Sequence, residues 1–456
     1  MSGLFALSIG QEYKGNFLTD LFRGTFYLQH LGEEYAGLST QCGEGKIEIK
    51  THRGLFRPNF INDLDGLEGT EGIGFCGTDR EPFLIDSRVG EFSVCFSGNI
   101  INRPALVEEL KNRGHSFVRQ GDDVEIIAKL IARGDSVTDG IIKMTSGMRG
   151  AYSLVVLTRD GVYAAVCPSA QWPLVIGEKE GAVAVSSESA GFSNLGFTIV
   201  RDLEPGEIIF IRNGRWLETS QCMTKNENPQ FCSFVWVYTG SPASRFRGIS
   251  ISLVRKRLGA CLARKDIEEG FIPDVVIPVP DSGRFHAIGY FEEFCRQFQE
   301  GRISKIPRYE EALLKYPYAG RSFTPQEEAA RTSEASIKML PGGEDFRDLV
   351  AAVLDDSLVR GTQTRTDLVP KLRTLGLKET HLRFSNPALP SHCKWGKTTK
   401  IGETLAARLP SLSDRVAFLG VDSIRHNTID DLVASIGLPR KKLCVDCDLP
   451  NNISQG

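Results

Sequence analysis

From Leu349 to Leu354 the chain is continuously apolar, and it then breaks into two adjacent acids, Asp355-Asp356. A strand of that kind is buried on both faces, which is the habit of parallel sheets covered by helices. The surrounding segments keep to the theme. Asp274 to Val279 reads as a second buried strand, ending in Pro280-Asp281-Ser282-Gly283. Ile249 to Ala263, Phe285 to Gln299 and Thr364 to Leu375 read as helices, the last with Gly376 at its C-cap. Glu379 to Phe384 reads as a further strand. This β-α alternation predicts a doubly wound parallel sheet. In such sheets ligands bind beyond the carboxyl ends of the strands, where both loops lie.

The first ~215 residues differ, with short strands, Gly turns and few helices. Leu4 to Ser8, Ile47 to Lys50, Phe92 to Phe96, Ala151 to Thr158 and Ile208 to Ile211 read as strands. Leu106 to Arg113 and Asp123 to Ile131 read as helices. That mixture predicts an α+β sheet sandwich. Arg215 to Phe231 is polar and reads as irregular, so two domains are expected, 1–225 and 226–456. A net charge of −3, with no basic stripe, argues against a nucleic-acid partner. No apolar run approaches a membrane span. The N-terminus lacks the pattern of a signal peptide, so a cytoplasmic protein is expected.

The loop after the acid pair runs Ser357-Leu358-Val359-Arg360-Gly361-Thr362-Gln363-Thr364 into a helix. Adjacent carboxylates at a strand end accept bonds from vicinal ribose hydroxyls or sit near Mg²⁺. The loop offers amides, hydroxyls and a helix N-terminus to a 5′-phosphate. The plainer reading is an acidic strand end before a surface turn. Pro278 to Arg284 is either a turn whose amides hold pyrophosphate or an ordinary Pro/Gly turn. Lys315 to Lys338 carries Arg321, Arg331 and Lys338. It is either a cationic lid over a diphosphate or a solvated charged loop. Eleven scattered cysteines make no secreted disulfide framework. Cys444 and Cys447 form a C-x-x-C, a spacing shared by zinc sites, iron–sulfur clusters and redox dithiols.

Taken together, these runs resemble the glutamine phosphoribosylpyrophosphate amidotransferase family. The matching residues are Phe234 to Tyr238 with Ser241-Pro242, Pro278 to Gly283, Gly320 to Phe323, Ile337-Lys338, Leu354 to Thr362, Arg383 to Pro387 and Cys393. The resemblance covers nearly the whole chain. It implies an N-terminal-nucleophile hydrolase-like αββα sandwich, followed by the doubly wound parallel sheet of a type I phosphoribosyltransferase. It implies that Asp355, Asp356, Ser357, Val359, Arg360, Gly361, Thr362 and Thr364 bind phosphoribosyl pyrophosphate. Asp281, Ser282, Gly283 and Arg284 would hold pyrophosphate with the lid cations Arg321, Arg331 and Lys338. Ser282, Asp355 and Asp356 would serve Mg²⁺. Gln363 departs from the family's Thr. A structural [4Fe–4S] cluster on Cys232, Cys393, Cys444 and Cys447 is also implied. So are purine nucleotide effectors and a dimeric or tetrameric homo-oligomer.

The N-terminal half departs from the family where its chemistry lies. The family's glutaminase begins Cys-Gly, because a thiolate attacks the glutamine amide readily. Here the start is Ser2-Gly3-Leu4-Phe5. Leu31 replaces an Arg of the segment His30 to Gly37. The turn whose Arg grips the glutamine carboxylate reads Gly74-Phe75-Cys76-Gly77-Thr78, which removes a bidentate contact. Arg80 is out of register. Gly98 and Asn99 match the oxyanion-hole region, and Asp123 matches the residue for the substrate amine. Either Ser2 acts as the nucleophile, or the domain keeps its fold and has lost glutamine hydrolysis. The second is expected. The expected activity is transfer of a phosphoribosyl group to ammonia or another amine. The competing class is a non-catalytic protein that binds phosphoribosyl pyrophosphate or nucleotides, for which a lid would be superfluous.

Overall fold

The computed structural model describes residues 2–42, 45–119, 122–221, 228–316, 339–342, 346–397 and 399–450. The chain forms two compact units. One comprises residues 1–232 and 244–248, the other 233–243 and 249 onward. The chain therefore passes between units at 232/233, 243/244 and 248/249.

The first unit holds two antiparallel sheets. Their strands are β1 (Gly3–Ile9), β2 (Tyr35–Cys42), β3 (Lys46–Arg53), β4 (Glu71–Gly77), β5 (Phe83–Ile85), β6 (Phe92–Ile100), β7 (Gly150–Thr158), β8 (Val162–Val166), β9 (Val175–Lys179), β10 (Ala182–Ser186), β11 (Thr198–Asp202), β12 (Glu207–Arg212) and β13 (Arg215–Gln221). One sheet has the order β11-β9-β10-β1-β4-β2-β3 and the other β13-β12-β8-β7-β6-β5. Strand β1 shows why its sequence is apolar throughout. Leu4 and Ala6 pack between the sheets with Ile73, Val155 and Ile209. Phe5 and Leu7 point the other way, against Phe17 and Leu21 of helix α1 (Phe17–Phe26). A strand buried on both faces needs no polar alternation. Helix α1 starts at Asn16, whose side chain accepts from the Thr19 amide at 2.8 Å. Helices α2 (Arg103–Asn112) and α3 (Asp123–Ile131) complete an αββα sandwich. Arg215–Gln221 corrects the expectation of an irregular stretch. It is the edge strand β13, paired with β12. Trp216 and Leu217 are exposed there, so no apolar alternation marks it as a strand.

The second unit is built on a parallel sheet. Its strands are β14 (Val275–Pro278), β15 (Arg308–Tyr309), β16 (Val350–Asp355), β17 (Glu379–Phe384) and β18 (Ser423–His426), in the order β15-β14-β16-β17-β18. Both faces are covered. Val276, Ala352 and Leu354 pack on Leu262, Tyr290 and Phe294 of helices α4 (Ile251–Glu268) and α5 (Arg284–Gln299). Val275, Ile277, Ala351 and Val353 face Leu368, Leu372 and Leu419 on the other side. Helices α4 and α5 meet at two glycines. A Cβ on Gly259 would lie 1.9 Å from the His286 carbonyl oxygen, and one on Gly289 would lie 1.9 Å from that of Lys256. The expected helix at Thr364 to Leu375 is a π turn (Thr364–Leu368) running into α6 (Val369–Thr374), with Gly376 at φ +75° beyond it. No helix among the described residues is long and apolar enough to cross a membrane.

Candidate active site

Strands β14 and β16 are neighbours, so their carboxyl ends bring two loops together. The first loop is Val279 to Gly283, ahead of α5. Gly283 is required by the close approach: a Cβ there would lie 2.2 Å from the Leu354 carbonyl oxygen. The amides of Val279 and Gly283 are already taken, by the carbonyls of Leu354 and Val279 at 2.9 and 2.8 Å. The Pro280–Asp281 peptide is cis.

The second loop opens on the acid pair. Ser282 Oγ donates to Asp355 Oδ1 at 3.3 Å, and the Asp356 amide donates to the same oxygen at 2.8 Å. Ser357 Oγ donates to Asp356 Oδ2 at 2.5 Å. Desolvation pushes the Asp355 carboxyl well above the usual carboxylate range, and the charge of Asp356 adds to it. Burial also raises Asp356, against the opposing bonds from Ser357 and Ser282. A desolvated carboxyl pair beside a hydroxyl is a donor set that a hard divalent cation suits, because the cation would offset both charges. Sequence reasoning missed Arg255 on α4. It is 2% exposed and its positive charge reaches Asp356. Its guanidinium donates to the carbonyls of Trp236, Tyr238 and Gly240 at 2.6–3.0 Å.

The cations around the loops are engaged. Arg284 bonds Asp281 Oδ1 at 2.9 Å and Glu311 Oε2 at 2.8 Å. Lys315 Nζ reaches Asp281 Oδ2 at 2.6 Å, a contact no motif announced. Further along the second loop, Arg360 pairs with Glu403 at 2.7 Å. Gly361 takes φ +74°. The Val359 carbonyl accepts from the Leu405 amide at 2.7 Å, and the Gly361 carbonyl accepts from the Arg365 amide at 3.0 Å. Thr362 precedes the π turn that Thr364 opens. The lid candidates Arg321, Arg331 and Lys338 lie outside the described residues.

The cysteine set fares differently from the acid pair. In the second unit the segments do converge. The Ser391 amide donates to the Cys447 carbonyl at 3.3 Å, Lys394 pairs with Asp446 at 2.8 Å, and Ser233, which follows Cys232, donates to the Cys444 carbonyl at 2.9 Å. Among the described residues, however, no three Cys, His, Asp or Glu side chains are grouped to hold a metal ion. Burial pushes the Cys444 thiol up to about 12 and raises that of Cys393. The four cysteines expected as ligands are not gathered around one point among the described residues.

In the first unit Ser2 immediately precedes β1, which pairs with β4. The Ser2 backbone nitrogen donates to Ser97 Oγ at 2.8 Å, and Ser187 Oγ bonds the Leu4 amide at 2.9 Å. Gly98 and Asn99 lie near the end of β6, opposite Tyr152 and Ala151 of β7. Asp123 is 2% exposed and its Oδ1 is taken by Arg103 Nε at 3.0 Å. Phe75 is fully buried. A Cβ on Gly77 would meet Phe75 Cζ at 2.1 Å and Ser2 Oγ at 2.6 Å, so a phenyl ring flanks the serine hydroxyl. Leu31 packs into the core with Leu28 and Ala36. Arg80 Nε donates to Thr51 Oγ1 at 3.0 Å.

Comparison with known proteins finds relatives along nearly the whole chain. A glutamine amidotransferase domain family matches residues 75–194. The amidophosphoribosyltransferase of Methanothermobacter thermautotrophicus is 32% identical over 470 aligned positions, covering 98% of this chain and 94% of the relative. That of Bacillus subtilis is 32% identical, covering 91% and 86%. Among solved structures, the B. subtilis glutamine phosphoribosylpyrophosphate amidotransferase complexed with ADP and GMP superposes with a TM-score of 0.85 at 29% identity, covering 99% of this chain and 97% of that one.

Proposed function

The chain belongs to the amidophosphoribosyltransferase family, and from that premise we propose how it works. It transfers the phosphoribosyl group of phosphoribosyl pyrophosphate to ammonia or another amine. The observation that carries the reading is the desolvated Asp355–Asp356 pair with Ser282 at adjoining strand ends. In the reaction the amine nitrogen forms a bond to C1 of the ribose. The C1–O bond breaks, its electrons leave with pyrophosphate, and the new ammonium gives up a proton to solvent. A neutral amine needs no strong base, so the work is positioning and charge stabilisation. Asp355 and Asp356 orient the ribose hydroxyls. The loop from Ser357 to Thr364 receives the 5′-phosphate, and Asp281 to Arg284 the pyrophosphate. Asp355, Asp356 and Ser282 are the residues that would hold Mg²⁺, which when bound supplies charge for the leaving pyrophosphate.

The glutaminase half, within a functional domain of residues 1–225, is read as a retained fold without glutamine hydrolysis. Support comes from Ser2 at the nucleophile position, Phe75 against its hydroxyl, and Asp123 already paired with Arg103. A [4Fe–4S] cluster is read as a structural tie, with Cys393, Cys444 and Cys447 among its ligands. Its support is the convergence of their segments. Purine nucleotides are the proposed effectors, and a dimer or tetramer the proposed assembly.

The decisive experiment is Mg²⁺-dependent pyrophosphate release with ammonium at raised pH. Release is expected. Tight binding of phosphoribosyl pyrophosphate with no release for any amine tried would leave a binding protein instead. Glutamate formation from glutamine should stay at background; robust formation restores Ser2 as a nucleophile. Iron and acid-labile sulfide should accompany protein purified without oxygen, and background levels of both would withdraw the cluster.

A further inference from the structure

The carbonyls of the acid pair are held from outside their own strand. Register pairs Asp355 with Phe384, and the parallel ladder then continues past both strands. The Ser385 amide donates to the Asp355 carbonyl at 3.1 Å, and the Asn386 amide donates to the Asp356 carbonyl at 2.8 Å. The second bond fixes the peptide that joins Asp356 to Ser357, where the phosphate loop begins. Asn386 is fully buried. Its carboxamide Nδ2 donates to the Pro387 carbonyl at 3.0 Å and to Asp448 Oδ1 at 2.7 Å.

Asp448 is 6% exposed and closes the 3₁₀ turn Asp446–Asp448 near the end of the chain. That turn is anchored independently. Ser391 donates from its amide to the Cys447 carbonyl at 3.3 Å and from its hydroxyl to the Leu449 carbonyl at 2.5 Å. A route of two hydrogen bonds therefore runs from the C-terminal turn, through one side chain, to the acid that faces the ribose. Loss of a hydrogen bond made by a buried amide leaves a desolvated donor without its partner.

We propose that Asn386 is a positioning residue for phosphoribosyl binding, held in place by the carboxylate of Asp448. This rests on the reading of Asp355 and Asp356 given above. The C-terminal turn is thereby a strut for the ribose acids rather than a passive tail. Asn386 touches no reacting atom and acts only through the Asp356 backbone.

The test compares Asp448→Ala with Asp448→Asn in the full-length protein. The asparagine keeps an acceptor oxygen for Asn386 Nδ2, and the alanine does not. The KM for phosphoribosyl pyrophosphate should rise about tenfold in Asp448→Ala and stay within about threefold of the parent in Asp448→Asn. A purely structural role would lower the melting temperature of Asp448→Ala and leave its KM unmoved. That result, or an Asp448→Asn as impaired as the alanine, overturns the proposal. Where Asp448→Ala does not fold, Asn386→Asp gives the same reading, because it replaces the donating amide with an acceptor and should raise KM by a comparable factor; an unchanged KM there also overturns it. Calorimetric binding of phosphoribosyl pyrophosphate separates the two layers. A parent that binds but releases no pyrophosphate sinks the proposed reaction, and the Kd of the variants then decides on Asn386.

Discussion

At Asp355 and Asp356 two carboxyls share one desolvated strand end, and the hydroxyls of Ser282 and Ser357 meet only part of their demand. Asp355→Asn keeps the shape and deletes one charge. Turnover should fall by about a hundredfold or more in the pyrophosphate assay, with the melting temperature unchanged or raised. A variant of near-parent activity would remove Asp355 from the site. Glu71 poses the opposite case, a buried acid outside any site. It accepts from Ser8 Oγ at 3.0 Å and from the Asn213 amide at 2.8 Å. Burial still raises its pKa to about 7. A carboxyl whose folded pKa lies above its unfolded value holds its proton more tightly when folded. Its favourable contribution is complete below about pH 4.5 and is lost as pH rises through about 7. Glu71→Gln should therefore gain on the parent as pH rises across that window, reaching up to about 3 kcal/mol above it. Thermal melts at pH 5 and pH 8 (about those values suffice) would show it. Parallel pH curves for the two proteins would refute it.

Among the elements, the turn from Val279 to Gly283 sits close against the end of its neighbouring strand. Gly283→Ala puts a methyl 2.2 Å from the Leu354 carbonyl oxygen, with backbone on both sides. The turn must shift, so affinity for pyrophosphate should weaken about tenfold or more while the sheet survives. Product-inhibition assays with pyrophosphate measure this, and an unchanged inhibition constant would show the turn does not hold that group. Elements of this kind were legible in the sequence where burial was two-sided. The run to Leu354 and the run to Val279 announced central parallel strands, and the acids after them announced the loops. Strand β13 was not legible, because an edge strand with Trp216 and Leu217 exposed shows no alternation. Partnerships between distant elements were equally silent. Nothing in the order of residues tells that Asp448 meets Asn386, 62 positions away, or that Lys315 meets Asp281. The C-x-x-C spacing announced only the pair Cys444 and Cys447; Cys232 and Cys393 came from the family resemblance, and the burial of Cys444 does not follow from spacing.

For the molecule as a whole, the chain's threefold passage between units has a genetic consequence. Residues 244–248 belong to the first unit although both flanks belong to the second. They are held there by bonds of Ser244 and Arg245 with Glu188, Ser189 and Ala190. One break in the gene can never yield two complete units. A cut at 232/233 leaves the first fragment without the strand of chain that covers Glu188 and Ser189. A cut at 248/249 leaves the second without residues 233–243, which supply three carbonyls to Arg255. Fragments expressed from separate genes should each be insoluble or unstable alone and recover together, as judged by co-purification. A fission of this gene would thus be viable only with both halves made in the same cell.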